Sequence, residues 1–187
     1  MKLNIIHLKH RNDRLKNLIK ELDNQSITEY LIWDGVLDLE NPSKGISLAH
    51  KQIVQMAQKD DSPSVLIAED DIKFTSKGAF KYYLVSEPKD YDLYLGGIYY
   101  GNIKSDNSVE DFAGLTLYMI HSKFYETFLS IPDNLPLDRG LIKKGFYQVC
   151  IPFVATQYNG YSDNKKAFRN YDIYLKGREL YDQKYNK

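Results

Sequence analysis

The chain has 187 residues, 43% of them hydrophobic, with 25 Lys and Arg matched by 25 Asp and Glu. That length supports one domain with a real core, and a formal net charge of zero leaves no electrostatic footprint for general nucleic-acid binding. The single cysteine, Cys150, excludes an internal disulfide framework, and no apolar stretch approaches a membrane span. The opening run, broken by His7, Lys9 and His10, is not a signal peptide, so a cytoplasmic location is expected.

Leu3 to Leu8 reads as a strand, and Asp13 to Leu22 as a helix with Leu15, Leu18, Ile19 and Leu22 on one face. Tyr30 to Trp33 is a second strand, ended by the turn signal Asp34-Gly35. Residues 36–46 read as a polar loop containing Asn41-Pro42. Ser47 then caps a second amphipathic helix bearing Leu48, Ile53, Val54, Met56 and Ala57. Val65 to Ala68 is a third strand, buried and too short for a helix, with Pro63 just before it. This β-α-β-α-β run predicts an α/β fold with a largely parallel central sheet and helices on both faces. The second half is less regular. Phe80 to Val85 reads as a helix, Tyr91 to Leu95 as a strand closed by Gly96-Gly97, and residues 100–111 as a mobile polar loop. Leu115 to Ile120 is a strand, Ser122 caps a helix running to Leu129, and Asp138 caps a short helix ending near Gly145. Tyr147 to Ile151 is a final strand, and from Asn159 onward the chain is polar and tyrosine-rich without clear periodicity. No repeat or linker divides it, so residues 1–187 read as a single domain.

The chemistry gathers after the third strand, where Glu69, Asp70 and Asp71 stand in a row. Adjacent carboxylates repel one another, so an acidic triplet at a buried strand's end needs something to offset the cost. A divalent cation does this well, since hard cations prefer carboxylate oxygens and often hold substrate phosphates too. In open α/β sheets ligands sit outside the carboxyl ends of the strands, where this triplet lies. A solvated acidic turn is the plain alternative, and the buried strand in front weighs against it.

Further segments fall into a family's order. They are Ile6 to Leu15 with its Asn12-Asp13-Arg14, then Trp33-Asp34-Gly35, Gly45 to His50, and Val65 to Ile72. Weaker echoes follow at Leu117 to Ile120, at Pro136-Leu137-Asp138, and at Pro152 to Gln157 leading to Ser162-Asp163. In these segments the chain resembles glycosyltransferase family 25, which includes bacterial lipopolysaccharide galactosyltransferases and collagen galactosyltransferases. Ile46 and Ala49 depart from the family's usual Cys and Ser.

The resemblance implies a GT-A nucleotide-diphosphosugar transferase fold, with residues 1–97 as the nucleotide-sugar half and 98–187 as the acceptor side and C-terminal tail. It implies transfer of a hexose, galactose being the family's commonest, from a UDP-sugar to a glycan or glycoconjugate hydroxyl, with inversion and with Mn²⁺ or Mg²⁺. Asp71 is the expected metal ligand, with Asp70 as a second; Glu69 or Asp70 contacts ribose or sugar hydroxyls. The loop from Leu8 and Lys9 to Arg14 lies where the base would sit, and Arg14 can fork onto phosphate. Asp34 and Gly35 face uracil or ribose, although an ordinary Asp-Gly turn explains them as well. His50 is expected near a helix N-terminus beside the diphosphate, and Gly96 and Gly97 where backbone approaches substrate. His7, His10 and His121 read as structural. Asp138 is the candidate general base, with Asp163 and Asp111 in reserve. A lipid-linked acceptor would place the protein at a membrane surface.

The sixteen tyrosines offer stacking or hydrogen-bonding surfaces for a sugar, though an AT-rich genome accounts for them equally. Two other classes stay open: a degenerate nucleotide-sugar-binding protein, and another nucleotide-phosphate enzyme on a similar sheet. The latter calls for a glycine-rich phosphate loop after the first strand, where Lys9-His10-Arg11-Asn12-Asp13 has no glycine.

Overall fold

The computed structural model describes residues 1–182. Residues 183–187, the end of the tail expected to be irregular, lie outside them. Strand β1 (Leu3–His7) leads into α1 (Asn12–Asn24), β2 (Tyr30–Asp34), α2 (Pro42–Lys59) and β3 (Ser64–Glu69). The expected β-α-β-α-β run is present. β4 (Ile72–Phe74), α3 (Ala79–Val85) and β5 (Leu93–Leu95) follow, then three two-residue strands, β6 (Tyr100–Gly101), β7 (Ser108–Val109) and β8 (Phe112–Ala113). β9 (Leu117–His121), α4 (Tyr125–Leu129), α5 (Leu137–Gly140), β10 (Tyr147–Val149), β11 (Ala155–Gln157), β12 (Gly160–Ser162) and β13 (Ala167–Arg169) complete the chain.

Seven strands form one sheet in the order β2-β1-β3-β9-β5-β10-β7. β2, β1 and β3 pair in parallel, as do β5 and β10, while β9 and β7 run against their neighbours. The sheet is therefore mostly parallel. Its period of two sorts the core: Val65 and Ile67 of β3 pack with Ile53, Val54, Phe128 and Leu137 on one face. Leu66 and Ala68 pack with Leu18, Leu22 and Tyr83 on the other. Helices α2, α4 and α5 thus cover one side of the sheet, and α1 and α3 the other.

Four expectations need correction. Ser122 does not cap a helix to Leu129: it opens a single 3-10 turn, Ser122–Phe124, capped by His121, whose side chain accepts from Lys123 N–H, and α4 begins only at Tyr125. Helix α2 starts at Pro42, not after Ser47, because the Asn41 side chain accepts from Lys44 N–H and Pro42 occupies the first turn, where its missing N–H is harmless. Ser47 lies inside α2, fully buried, donating to Asp133 at 3.1 Å. Residues 100–111 are not simply a loop: β6 pairs with β8 and β7 adds an edge to the main sheet through β10. Asp138 does not cap α5; Pro136 holds that position. The early start of α2 also shapes the site. A Cβ on Gly45 would meet the Val36 carbonyl oxygen at 2.3 Å, so glycine there lets residues 36–38 cross directly over the helix's first turn.

Candidate functional site

The three carboxylates after β3 meet different partners. Glu69 accepts from the Gln157 amide, and His50 Nε2 lies 3.6 Å from its other oxygen. Asp70 Oδ2 lies 2.8 Å from His7 Nδ1, and its Oδ1 accepts from Arg14 Nη1 at 2.8 Å. Asp71 Oδ2 is 3.0 Å from the same Arg14 nitrogen, while its Oδ1 is buried with no hydrogen-bond partner. The repulsion within the triplet is thus offset from inside the chain, by a guanidinium bridging the second and third carboxylates. Burial still pushes the Asp71 carboxyl well above the ordinary range; Arg14 opposes this, and the Glu69 and Asp70 charges add to it.

The sheet register assembles these groups. In the parallel pair of β1 and β3, Ile6 stands opposite Glu69, so the next residues, His7 and Asp70, meet at the carboxyl edge. His7, read from sequence as structural, is therefore part of the site; the signal that could have found it is this register. Arg14 reaches the triplet from the first turn of α1. β4 pairs with β11, setting Ile72 opposite Gln157 and holding that amide beside Glu69. His50 lies in the middle of α2, not at its start, so no helix N-terminus explains it. It is 1% exposed, with Nδ1 2.8 Å from the Tyr118 hydroxyl.

A cavity of about 490 Å³ opens at this edge. Among the expected residues, Leu8, Arg14, Gly35, His50, Glu69, Asp70, Asp71 and Asp138 line it. Gly96 and Gly97 do not. A Cβ on Gly96 would meet Leu117 Cδ2 at 2.8 Å, and one on Gly97 the Ala155 carbonyl oxygen at 2.3 Å, so these glycines serve close backbone packing. Lys9 and Asp34 pair with each other at 2.7 Å, 79% and 71% exposed and off the cavity wall. Asp138 faces the cavity with Oδ2 accepting from Gly114 N–H at 3.2 Å and Oδ1 from Arg139 N–H at 2.8 Å. Of the reserves, Asp163 lines the cavity but is held by Arg11 at 2.5 Å, and Asp111 is tied to Arg139 at 2.8 Å away from it.

The second half supplies residues that periodicity did not reveal. The rings of Tyr99, Tyr171 and Tyr174 line the cavity with centroids 5.2, 5.8 and 6.4 Å apart. Burial, then the charges of Asp71 and Glu69, raise the Tyr171 hydroxyl to about 12, which sets this ring within the field of the triplet. Lys165 and Arg169, around the β12–β13 hairpin, also reach the wall. Tyrosine density was the only sequence signal for this cluster.

Among the described residues no group of three or more His, Cys, Asp and Glu side chains is arranged to hold a metal ion by itself. Within the triplet, both Asp70 oxygens are engaged, Asp71 Oδ1 has no hydrogen-bond partner, and Glu69 Oε1 meets only His50 Nε2 at 3.6 Å. That donor set fits a cation bound through one carboxylate plus substrate phosphates and water, a common arrangement for Mg²⁺. It does not fit a closed protein cage.

No protein-family model and no curated protein matches the sequence. Solved structures match in fold. A197 from STIV superposes with a TM-score of 0.57 at 15% identity, over 97% of this chain and 95% of that one. HddC from Yersinia pseudotuberculosis complexed with GMP-PN gives 0.53 at 14% identity, over 94% and 97%. A glycosyltransferase involved in glycosylation of the major capsid of PBCV-1 gives 0.51 at 11% identity, over 94% and 100%. The chain therefore has the mixed α/β fold of these proteins along nearly its whole length. No helix among the described residues is long and apolar enough to cross a membrane.

Proposed function

We propose that this protein is a GT-A-type glycosyltransferase that moves a hexose from a nucleoside diphosphate sugar to a glycan or glycoconjugate hydroxyl. The observation that carries the reading is Asp71, a buried carboxylate with one unpartnered oxygen, on the wall of a cavity at the carboxyl edge of the sheet. A buried carboxylate oxygen without a partner is costly, and a ligand brought by the substrate removes that cost. The shared fold with the PBCV-1 capsid glycosyltransferase and with nucleotide-bound HddC agrees with it.

In this reading the nucleoside lies against Leu8 and Gly35, beneath the crossing residues 36–38, and the diphosphate points toward Asp71 and Arg14. Mn²⁺ or Mg²⁺, held by Asp71 and the phosphates, supplies charge neutralisation when bound. Glu69, fixed by Gln157 and His50, accepts from the donor sugar's hydroxyls. The sugar–oxygen bond to the diphosphate breaks with its electron pair left on that oxygen. The acceptor oxygen forms the new bond from the opposite face, and Asp138 takes its proton. A UDP-hexose is the favoured donor and galactose the favoured sugar, from the resemblance of the motifs.

Thermal shift with UDP- and GDP-sugars, with and without Mn²⁺, tests donor binding, and release of nucleoside diphosphate in the presence of mixed glycan acceptors tests turnover. Stabilisation by at least one donor with metal, together with release, is expected. Stabilisation without release by any donor identifies a binding protein instead, and no response to any nucleotide sugar overturns the reading entirely.

A further inference from the structure

Two cations on the cavity wall have no carboxylate partner among the described residues. The other Lys and Arg side chains on the wall do: Arg14 sits on Asp70 and Asp71, and Arg139 on Asp111. Lys165 has no ion pair or side-chain hydrogen bond, and Arg169 gives only Nη2 to the Tyr174 hydroxyl, at 3.0 Å. Both belong to one unit, the β12–β13 hairpin, with Arg169 ending β13 and Lys165 in its connecting turn. The turn is tied down by the Lys165 backbone N–H, which donates to Ser162 Oγ at 3.3 Å.

The hairpin is placed by the same arginines that serve the triplet. Arg11 Nη1 donates to the Tyr161 carbonyl at 3.1 Å and to Asp163 at 2.5 Å, and Arg14 Nη2 reaches the Tyr161 carbonyl at 3.2 Å. Arg14 therefore binds the hairpin and the carboxylates at once, which holds the hairpin that carries Lys165 and Arg169 beside the triplet, all lining one cavity. The tyrosine cluster supports the hairpin from below, since Tyr174 takes the Arg169 hydrogen bond and packs on Tyr99 and Tyr171. A cavity whose lining includes two cations without carboxylate partners is matched by a ligand carrying at least two negative charges on compact oxygens. Arg and Lys differ usefully here, one offering a planar fork and the other a point charge.

We propose that Lys165 and Arg169 form the diphosphate clamp of the site, one engaging each phosphate of a nucleoside diphosphate and staying with it as the sugar departs. The clamp rests on the functional reading above and adds to it the residues that neutralise the leaving group. As the sugar–oxygen bond breaks, its electron pair goes to the terminal phosphate oxygen, and the hairpin cations face that developing charge. The clamp belongs to the hairpin and not to the triplet, so anion affinity survives loss of Asp71.

Calorimetry with inorganic pyrophosphate, UDP, and uridine or guanosine, on the full chain, tests this. K165A and R169A are each expected to weaken pyrophosphate and UDP about tenfold or more, the size of a hydrogen bond to a charged group. The double variant should also flatten the dependence of UDP affinity on salt, leaving nucleoside affinity unchanged. K165R should retain most of the pyrophosphate affinity, and K176A, off the cavity wall, should match the wild type; circular dichroism checks that each variant is folded. Unchanged pyrophosphate and UDP affinity in the folded double variant overturns the clamp while leaving the functional reading standing. Failure of the wild-type protein to bind pyrophosphate or any nucleoside diphosphate overturns both.

Discussion

Asp71 and Arg14 are a compensated pair left one contact short. Arg14 Nη1 serves two carboxylates at 2.8 and 3.0 Å, yet Asp71 Oδ1 remains buried and unpartnered. Burial, aided by the Glu69 and Asp70 charges and opposed by Arg14, holds the folded Asp71 pKa above its unfolded value. For an acid that sign means the folded state binds the proton more tightly, so this group's contribution to stability falls as pH rises through the ordinary carboxyl range and beyond. Asp71→Asn removes the charge and keeps the shape. Without divalent metal the variant should melt above the wild type at neutral pH, with the gap closing on acidification. UDP alone should raise both melting temperatures, and adding Mn²⁺ should raise the wild type's further while adding nothing to the variant's; an equal Mn²⁺-dependent rise in both would remove Asp71 from the metal. Asp138 is a separate case. With Pro136 at the cap, its carboxylate is free of helix capping; it accepts from the Gly114 and Arg139 N–H groups and lies 3.9 Å from Arg139 Nε. Asp138→Asn can keep the Gly114 bond through its amide oxygen but cannot take a proton. Donor affinity should persist while transfer falls on the order of 10²–10⁴-fold. Near-normal transfer would move the base to Asp163, the reserve that lines the cavity.

At the scale of elements, segment 100–111 joins local structure to dynamics. Its ends are anchored, β6 on β8 and β7 on β10, and Arg178 donates to the Gly101 carbonyl at 2.9 Å. Its exposed centre is held by a turn in which Lys104 N–H donates to Ser108 O at 2.9 Å and Asn107 N–H to Lys104 O at 3.0 Å. Tyr100, on the cavity wall, is the part that ligand can reach. Amide exchange at Ser108 and Val109 should be slow already, while residues 99–103 should slow only when UDP and Mn²⁺ are added. Unchanged exchange over 99–103 at saturating ligand would show that this stretch takes no part in closure. The same scale shows what the sequence made legible. Strands β1 to β3 and helix α1 were readable because both faces of a parallel strand are apolar and α1 has a clean 3.6-residue stripe. The start of α2 is written in Asn41-Pro42, a cap followed by proline, but Ser47 offers a competing cap closer to the first apolar residues. β6, β7, β8 and the β12–β13 hairpin were hidden because two- and three-residue strands leave too few residues to show alternation. Their tertiary partners, not their local pattern, decide them. The acidic triplet was legible as a site; its counter-charges were not, since Arg14 and His7 reach it through register and tertiary packing.

The whole molecule closes on itself through Arg11, which precedes α1 and grips Asp13 and, across the chain, Asp163 and the Tyr161 carbonyl. This joins the first loop to the β12–β13 hairpin and so shuts one side of the cavity. The Arg11 hydrogen bond, as the largest cause, holds the Asp13 carboxyl down at about 2. For Asp163 burial pushes upward, and Arg11 outweighs it to hold the carboxyl below the ordinary range. Both carboxyls have folded pKa values below their unfolded ones. The stability they contribute is therefore fully present above the ordinary carboxyl value near 4, and is lost as pH falls through the folded values toward 2. Asp13 is 65% exposed, so solvent and salt screen its share and most of the effect lies with Asp163. Arg11→Met keeps the apolar stem and removes the charge and every donor. Denaturant unfolding of wild type and variant should differ by a constant amount from pH 7 down to about 5, and the two curves should converge below about 4 as the carboxyls protonate. Added salt should narrow the difference only slightly, because the Arg11 guanidinium is largely buried. The variant should also lose affinity for UDP, since the hairpin that carries Lys165 and Arg169 is no longer held against the first loop. A stability difference that persists unchanged to pH 2.5 would show that Arg11 acts by packing alone and that the cavity is closed by other contacts.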